Sequence, residues 1–340
     1  MKSDSTDSNT SLFYPCSERV LGFDQLMRDQ LASSLEYLLE VTEGYLTVSD
    51  SLAEIKLRQL RELSVLPEVI AAYHELVYAV QDGSLQDAQL LFDEIFATIG
   101  ADTSFQAIPY KEQDLISKRY LTQIASDATT PFNVFSAQAA DYQRAEMLIH
   151  ESIDMLRESS PSLHDEIRAL LKRVMLGAGP TEKDAFTFDG ASAFGLWGAI
   201  LLNAIEPRDV VDMVQTLAHE SCHNLLFGYC IEGQLVENPD EERYASPLRI
   251  DPRPLDGIFH ATFVLARMHY SIEQIAKSPR LNEELQSKIQ RERQLRAASF
   301  YDGLATLKAH ARYTPEGQAL MNAAEAYMNF ATAAEAAEGW

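Results

Sequence analysis

From about Val20 to Leu170 the apolar residues recur at three- and four-residue intervals, a period that confines this half of the chain to amphipathic helices. In FDQLMRDQLASSLEYLLEVTEGYL the residues Leu26, Leu31, Leu35, Leu38 and Leu39 fall on one stripe, and PEVIAAYHELVYAV repeats that spacing from Pro67. SLQDAQLLFDEIFATIG opens on Ser84, a residue type whose hydroxyl caps helix starts, and closes on Gly100, which tolerates the left-handed backbone of a helix stop. The same spacing continues through EQDLISKRYLTQIASD and QAADYQRAEMLIHESIDMLRESSPSLHDEIRALLKRVML, with breaks at TTPF and SSPS.

The texture changes at GAGPTEKDAFTFDGASAFGLWGAILLN, where glycines, small residues and aromatics between Phe186 and Asn203 predict two short strands or a hairpin. No other segment gives a convincing β signal. EPRDVVDMVQTLAHESCHNLLFG then predicts a helix entered near Pro207 and left at Gly228, followed by the polar, proline-rich loop EGQLVENPDEERYASPLRIDPRPLDG. Helical spacing resumes at Leu255, and two further helices complete the chain. The expected fold is mainly α with a small β-sheet or hairpin (α+β), a helical scaffold around a two-helix metal site. The expected organisation is a disordered tail over 1–20, a helical N-terminal region over 21–175, a metal-binding catalytic region over 176–280 and C-terminal helices over 281–340. Residues 21–340 are expected to form one compact unit.

Composition narrows the function classes. With 28 Lys and Arg against 51 Asp and Glu, the formal charge is −23, and a surface that acidic repels phosphate backbones and anionic lipid. Neither nucleic acid nor a membrane is expected as a partner; basic partners are favoured. No apolar run approaches the roughly 18 residues of a membrane span. The start, MKSDSTDSNTSLFYP, lacks the basic and apolar regions of a secretory signal. Cys16, Cys222 and Cys230 are few, odd in number and without a C-x-x-C pair, which suits a reducing compartment, so a cytoplasmic protein is expected.

The stretch VVDMVQTLAHESCHNLLFGYC places His219, Glu220 and His223 in the order H-E-x-x-H inside helical spacing. Residues four apart share a helix face, so both imidazoles can address one ion, and Glu220, offset by about 100°, can reach a group bound to that ion. Two protein ligands rarely suffice, so a third is required. Zinc proteases with a third histidine read H-E-x-x-H-x-x-G-x-x-H; here Leu226 stands in the glycine position and Tyr229 in the histidine position, which excludes that pattern. A glutamate ligand from beyond the helix would come from Glu237, Glu241 or Glu242, all in the charged loop. His260, on the next helix beside Phe259, Phe263 and Val264, is the stronger candidate. His74, His150, His164, His269 and His310 show no ligand spacing, and Cys222 reads as a buried thiol. The loop also carries Arg243, Arg249 and Arg253; guanidinium forks grip carboxylates through two bonds, so arginines near a metal point to an anionic cosubstrate, unless they pair with the local acids.

Three strings, GASAFGLWGAILLN, HESCH and YASPLRIDPRPLDGIFHATFV, together resemble the H-E-x-x-H family of peptide-modifying proteins found with ribosomally made natural-product peptides. That family consists of iron- and 2-oxoglutarate-dependent peptide β-hydroxylases. The resemblance covers about Phe186 to Arg267, and its specific part is the string SPLRxDPRPLxGxxHA; the helical N-terminal half matches only in general character. It implies a non-haem dioxygenase holding Fe(II) through His219, His223 and His260, with Glu220 or a loop carboxylate in place of His260 as the alternative. Three histidines would leave coordination positions for the keto acid and O₂. The resemblance further implies that the distal carboxylate of 2-oxoglutarate meets Arg253 or, second, Arg249. Glu220 would orient a ligand or bound water. The implied substrate is a ribosomal precursor peptide with its leader and core. The competing expectation is a zinc metallopeptidase using Glu220 as general base; a third is a scaffold that binds a leader peptide without catalysis.

Overall fold

The computed structural model describes residues 11–126, 133–180, 187–246 and 251–337. These residues form eleven α-helices and five short strands, an α+β fold in which helix predominates, as the periodicity indicates. The chain divides into two compact units: Ser17–Leu148 with Ile167–Arg208, and Met1–Cys16 with Ile149–Glu166 and Asp209–Trp340. The first is called the sheet unit and the second the motif unit.

The sheet unit begins with α1 (Ser17–Val41), α2 (Asp50–Glu62), α3 (Pro67–Gln81) and α4 (Leu85–Thr98). Leu31, Leu35 and Leu38 of the expected stripe are buried, while Leu26 and Leu39 sit at its half-buried margins. Ser84 occupies the N-cap position of α4 without a hydroxyl cap bond, whereas Gly100 stops the helix at φ +94°. Then follow β1 (Gln106–Pro109), α5 (Leu115–Ser126), β2 (Phe135–Ser136), α6 (Ala139–Ser159) and α7 (Pro161–Leu170), of which Ile149–Glu166 belongs to the motif unit, and β3 (Arg173–Ala178), β4 (Gly190–Ala191) and β5 (Ala199–Asn203).

The sheet runs β1-β3-β5-β4, with β1, β3 and β5 parallel and β4 antiparallel to β5. Strand β2 pairs antiparallel with the end of β3, Phe135 opposite Ala178. The expected strand pair between Phe186 and Asn203 is β4 with β5; residues 181–186 lie outside those described. The expectation that helix runs on through Met175 and Leu176 is corrected. Those residues belong to β3, buried along its whole length, and a strand covered on both faces is apolar without the alternation that marks a half-exposed one. For the same reason the expected boundary at 175/176 falls inside a strand. The sheet core joins Met175, Ala199 and Leu201 to Tyr120, Ile124 and Leu196.

The motif unit is built on α8 (Val210–Tyr229), α9 (Leu255–Ile275), α10 (Glu283–His310) and α11 (Pro315–Ala337), with α9 packed on the other three. Helix α9 is therefore buried on nearly every side, His260, Arg267 and His269 included. The expected tail over 1–20 is corrected from residue 11 onward. Phe13 is fully buried, its ring stacked on Tyr327 at 4.4 Å, and α1 already begins at Ser17. No described helix is long and apolar enough to cross a membrane.

Candidate metal centre

Helix α8 carries the motif because its start is doubly secured. Asp209 accepts hydrogen bonds from the amides of Val211 and Asp212 at 2.9 and 3.0 Å, and Lys288 of α10 donates to its other oxygen at 2.7 Å. The apolar face Val211, Val214, Leu217, Ala218 and Leu225 is buried, which fixes the rotation of the helix and hence the direction of its histidines.

His219 and His223 meet through their Nε2 atoms at 3.2 Å. Two imidazole nitrogens bound to one ion at about 2.1 Å stand roughly 3.0–3.4 Å apart, so the pair already has the spacing of two ligands. The outer nitrogen of His219, Nδ1, lies 3.4 Å from the sulfur of Met268 on α9. His260, on the second turn of α9 and 7% exposed, faces the other nitrogen of His223: the two Nδ1 atoms are 3.4 Å apart and the rings lie nearly parallel at 5.6 Å. Phe227 closes the cluster, 5.8 Å from the His260 ring and 6.5 Å from that of His223. The three expected histidines are thus contiguous, joined through different edges of His223. Among the described residues no group of three or more His, Cys, Asp and Glu side chains forms a ready cage for an ion.

Burial keeps two of these rings neutral. Burial, assisted by the neighbouring His260, pushes His223 down to about 3, and burial alone takes His260 to about 4. At neutral pH both present unprotonated nitrogens, the form a metal requires. Glu220 is 4% exposed, and its Oε1 lies 3.8 Å from Nε2 of His219. Cys222 points elsewhere: burial raises its thiol to about 12, with the Arg267 and Glu166 charges as its electrostatic neighbours, so it is no thiolate donor.

The loop after α8 is drawn to the turn between α10 and α11. The Glu237 amide donates to the Arg312 carbonyl at 2.7 Å, Thr314 returns a bond to the Leu235 carbonyl at 3.1 Å, and Gly317 leaves no room there for a Cβ. Glu242, one of the alternative ligands, accepts from Asn238 at 3.1 Å and from the Tyr244 hydroxyl at 2.8 Å. Arg253 stands just before Pro254, the N-cap of α9, about two helical turns from His260. Its Nε lies 2.9 Å from Asp251 but is not aligned for a hydrogen bond, and among the described residues the guanidinium pairs with no second acid. Arg249 falls outside the described residues.

Met268, Phe227 and Tyr244 were not foreseen around these residues. The first two had a helical signal, Phe227 four residues after His223 and Met268 eight after His260. No family profile matches the chain, and no curated protein is significantly similar to it.

Proposed function

We propose that the chain is an Fe(II)- and 2-oxoglutarate-dependent dioxygenase that hydroxylates the β-carbon of a residue in a ribosomally made precursor peptide. The observation that carries a metal site is the 3.2 Å approach of two imidazole nitrogens from one helix, with a third imidazole, that of His260, against the other edge of His223. The arginine-bearing string from Ser246 to Ala261 carries the choice of cosubstrate. His219, His223 and His260 hold the iron in this reading. When bound, iron and 2-oxoglutarate supply the oxidation: the keto acid loses CO₂ and becomes succinate, taking one oxygen atom of O₂ while the other enters the peptide C–H bond.

The chain's own contribution is placement and a dry wall. Arg253 offers a guanidinium fork to the distal carboxylate, exchanging its exposed Asp251 partner for it. Phe227, Phe259 and Met268 present apolar surface around the imidazoles and limit water. Glu220, held beside His219, orients a bound water or ligand. A net charge of −23 favours a basic leader segment in the peptide, and three free thiols suit the cytoplasm.

A second reading, a zinc metallopeptidase, is favoured by one observation: Glu220 Oε1 lies 3.8 Å from Nε2 of His219, within reach of a water bound to a metal there. The two readings separate in one assay. Protein loaded anaerobically with Fe(II) is mixed with 2-oxoglutarate, O₂ and the peptide encoded beside it. Gain of one oxygen with equimolar succinate supports the dioxygenase; peptide fragments that form equally without 2-oxoglutarate support the peptidase.

A further inference from the structure

Arg253 does not hold its place alone. An isolated antiparallel bridge joins it to Tyr244, with Tyr244 N donating to Arg253 O and Arg253 N to Tyr244 O, both at 2.9 Å. Tyr244 is fixed in turn by its side chain. Its ring lies 4.7 Å from that of His310, the last residue of α10, and its hydroxyl donates to Glu242 at 2.8 Å. Glu242 also accepts from Asn238, whose amide donates to the His310 carbonyl at 3.1 Å and whose Oδ1 accepts from the Arg312 amide at 2.7 Å. A continuous chain of contacts therefore runs from the end of α10, through the Tyr244 ring and backbone, to Arg253, the residue before the N-cap of α9.

We propose that Tyr244 is the positioning residue of the carboxylate site: its backbone ladder sets Arg253, and its ring and hydroxyl anchor that ladder to the end of α10. The proposal rests on the reading of Arg253 as the cation for the distal carboxylate of 2-oxoglutarate. Without the ladder, Arg253 is held only by the turn into Pro254 and by a half-exposed acid, and a fork that must meet two oxygens at once loses affinity with small rotations.

The test compares equilibrium binding of 2-oxoglutarate and of oxalate to the iron-loaded protein without O₂, read by calorimetry. Oxalate offers a metal the same two-oxygen grip but has no distal carboxylate. Tyr244→Ala is expected to weaken 2-oxoglutarate about tenfold and to leave oxalate unchanged, with Tyr244→Phe and His310→Ala intermediate. Equal loss of both ligands in Tyr244→Ala, with Tyr244→Phe at the native value for both, would mark the residue as merely structural and overturn the proposal. If Arg253→Ala weakens 2-oxoglutarate selectively while Tyr244→Ala and His310→Ala do not, the proposal alone fails. If Arg253→Ala leaves 2-oxoglutarate binding intact, the reading of Arg253 fails and the proposal with it.

Discussion

His223 is engaged at both ring nitrogens, Nε2 toward His219 at 3.2 Å and Nδ1 toward His260 at 3.4 Å, so its two neighbours answer to different tests. Replacing His219 or His223 with alanine removes half of the Nε2 pair, and iron bound per chain is expected to fall from about one to near zero. His260→Ala separates a ligand from a partner that only orients His223. A ligand role predicts loss of stoichiometric iron, whereas an orienting role predicts retained iron with affinity lower by about 10–100-fold; plasma mass spectrometry of dialysed protein decides. Glu220→Gln is expected to keep iron and to lower turnover without abolishing it; complete loss of turnover with full metal content would favour a base on bound water. HESCH was legible because ligand spacing on a helix is local geometry. The Nδ1 edge contact of His260 and the sulfur of Met268 were not, because they depend on how α9 is rotated against α8, which no short window of sequence encodes.

Helix α9 shows the same limit at the level of elements. Its span from Leu255 was legible from apolar spacing, but burial of its polar residues was not. His269 is fully buried, its Nδ1 2.8 Å from the Tyr327 hydroxyl and its Nε2 3.0 Å from Glu335 of α11. Burial, with the nearby Arg293 charge, lowers its pKa to about 4 from an ordinary 6.5. Between those values the unfolded chain binds a proton that the folded chain refuses, so the stability present above about pH 6.5 is lost as the pH falls toward about 4. Urea midpoints are accordingly expected to drop between about pH 7 and about pH 5, and His269→Gln to lessen that drop, the remainder coming from the likewise buried His223 and His260; an unchanged slope in the variant would refute the assignment. Strand β3 failed for the opposite reason. Only Leu171 and Lys172 separate RVMLGA from the end of α7, and its full burial erases the two-residue alternation that distinguishes strand from helix.

At the scale of the molecule, the motif unit is assembled from three stretches of chain, and the first of them looked dispensable in the sequence. Phe13 packs on Tyr327, Phe263 and Tyr270, and its carbonyl accepts from Arg267 at 2.7 Å across 254 positions. Arg267, 2% exposed, is also paired with Glu166 from the second stretch, which in turn accepts from the Cys16 amide at 2.8 Å. A polar, Ser/Thr-rich start gives no local sign of this, because one aromatic residue in a low-complexity context has no periodicity to reveal it. The consequence is quantitative. Phe13→Ala removes a buried aromatic side chain and is expected to cost about 3–5 kcal/mol. Deleting residues 1–15 is expected to cost at least as much, since it also takes a partner from a buried guanidinium. Because α9 carries both His260 and Arg267, the deletion is further expected to reduce iron retention although every histidine remains. Denaturation midpoints and metal content of the shortened chain, measured together, test this. An unchanged midpoint would return residues 11–16 to the status of a tail, while a lowered midpoint with full metal content would show that the histidine cluster is held by α8 and the local α9 packing alone.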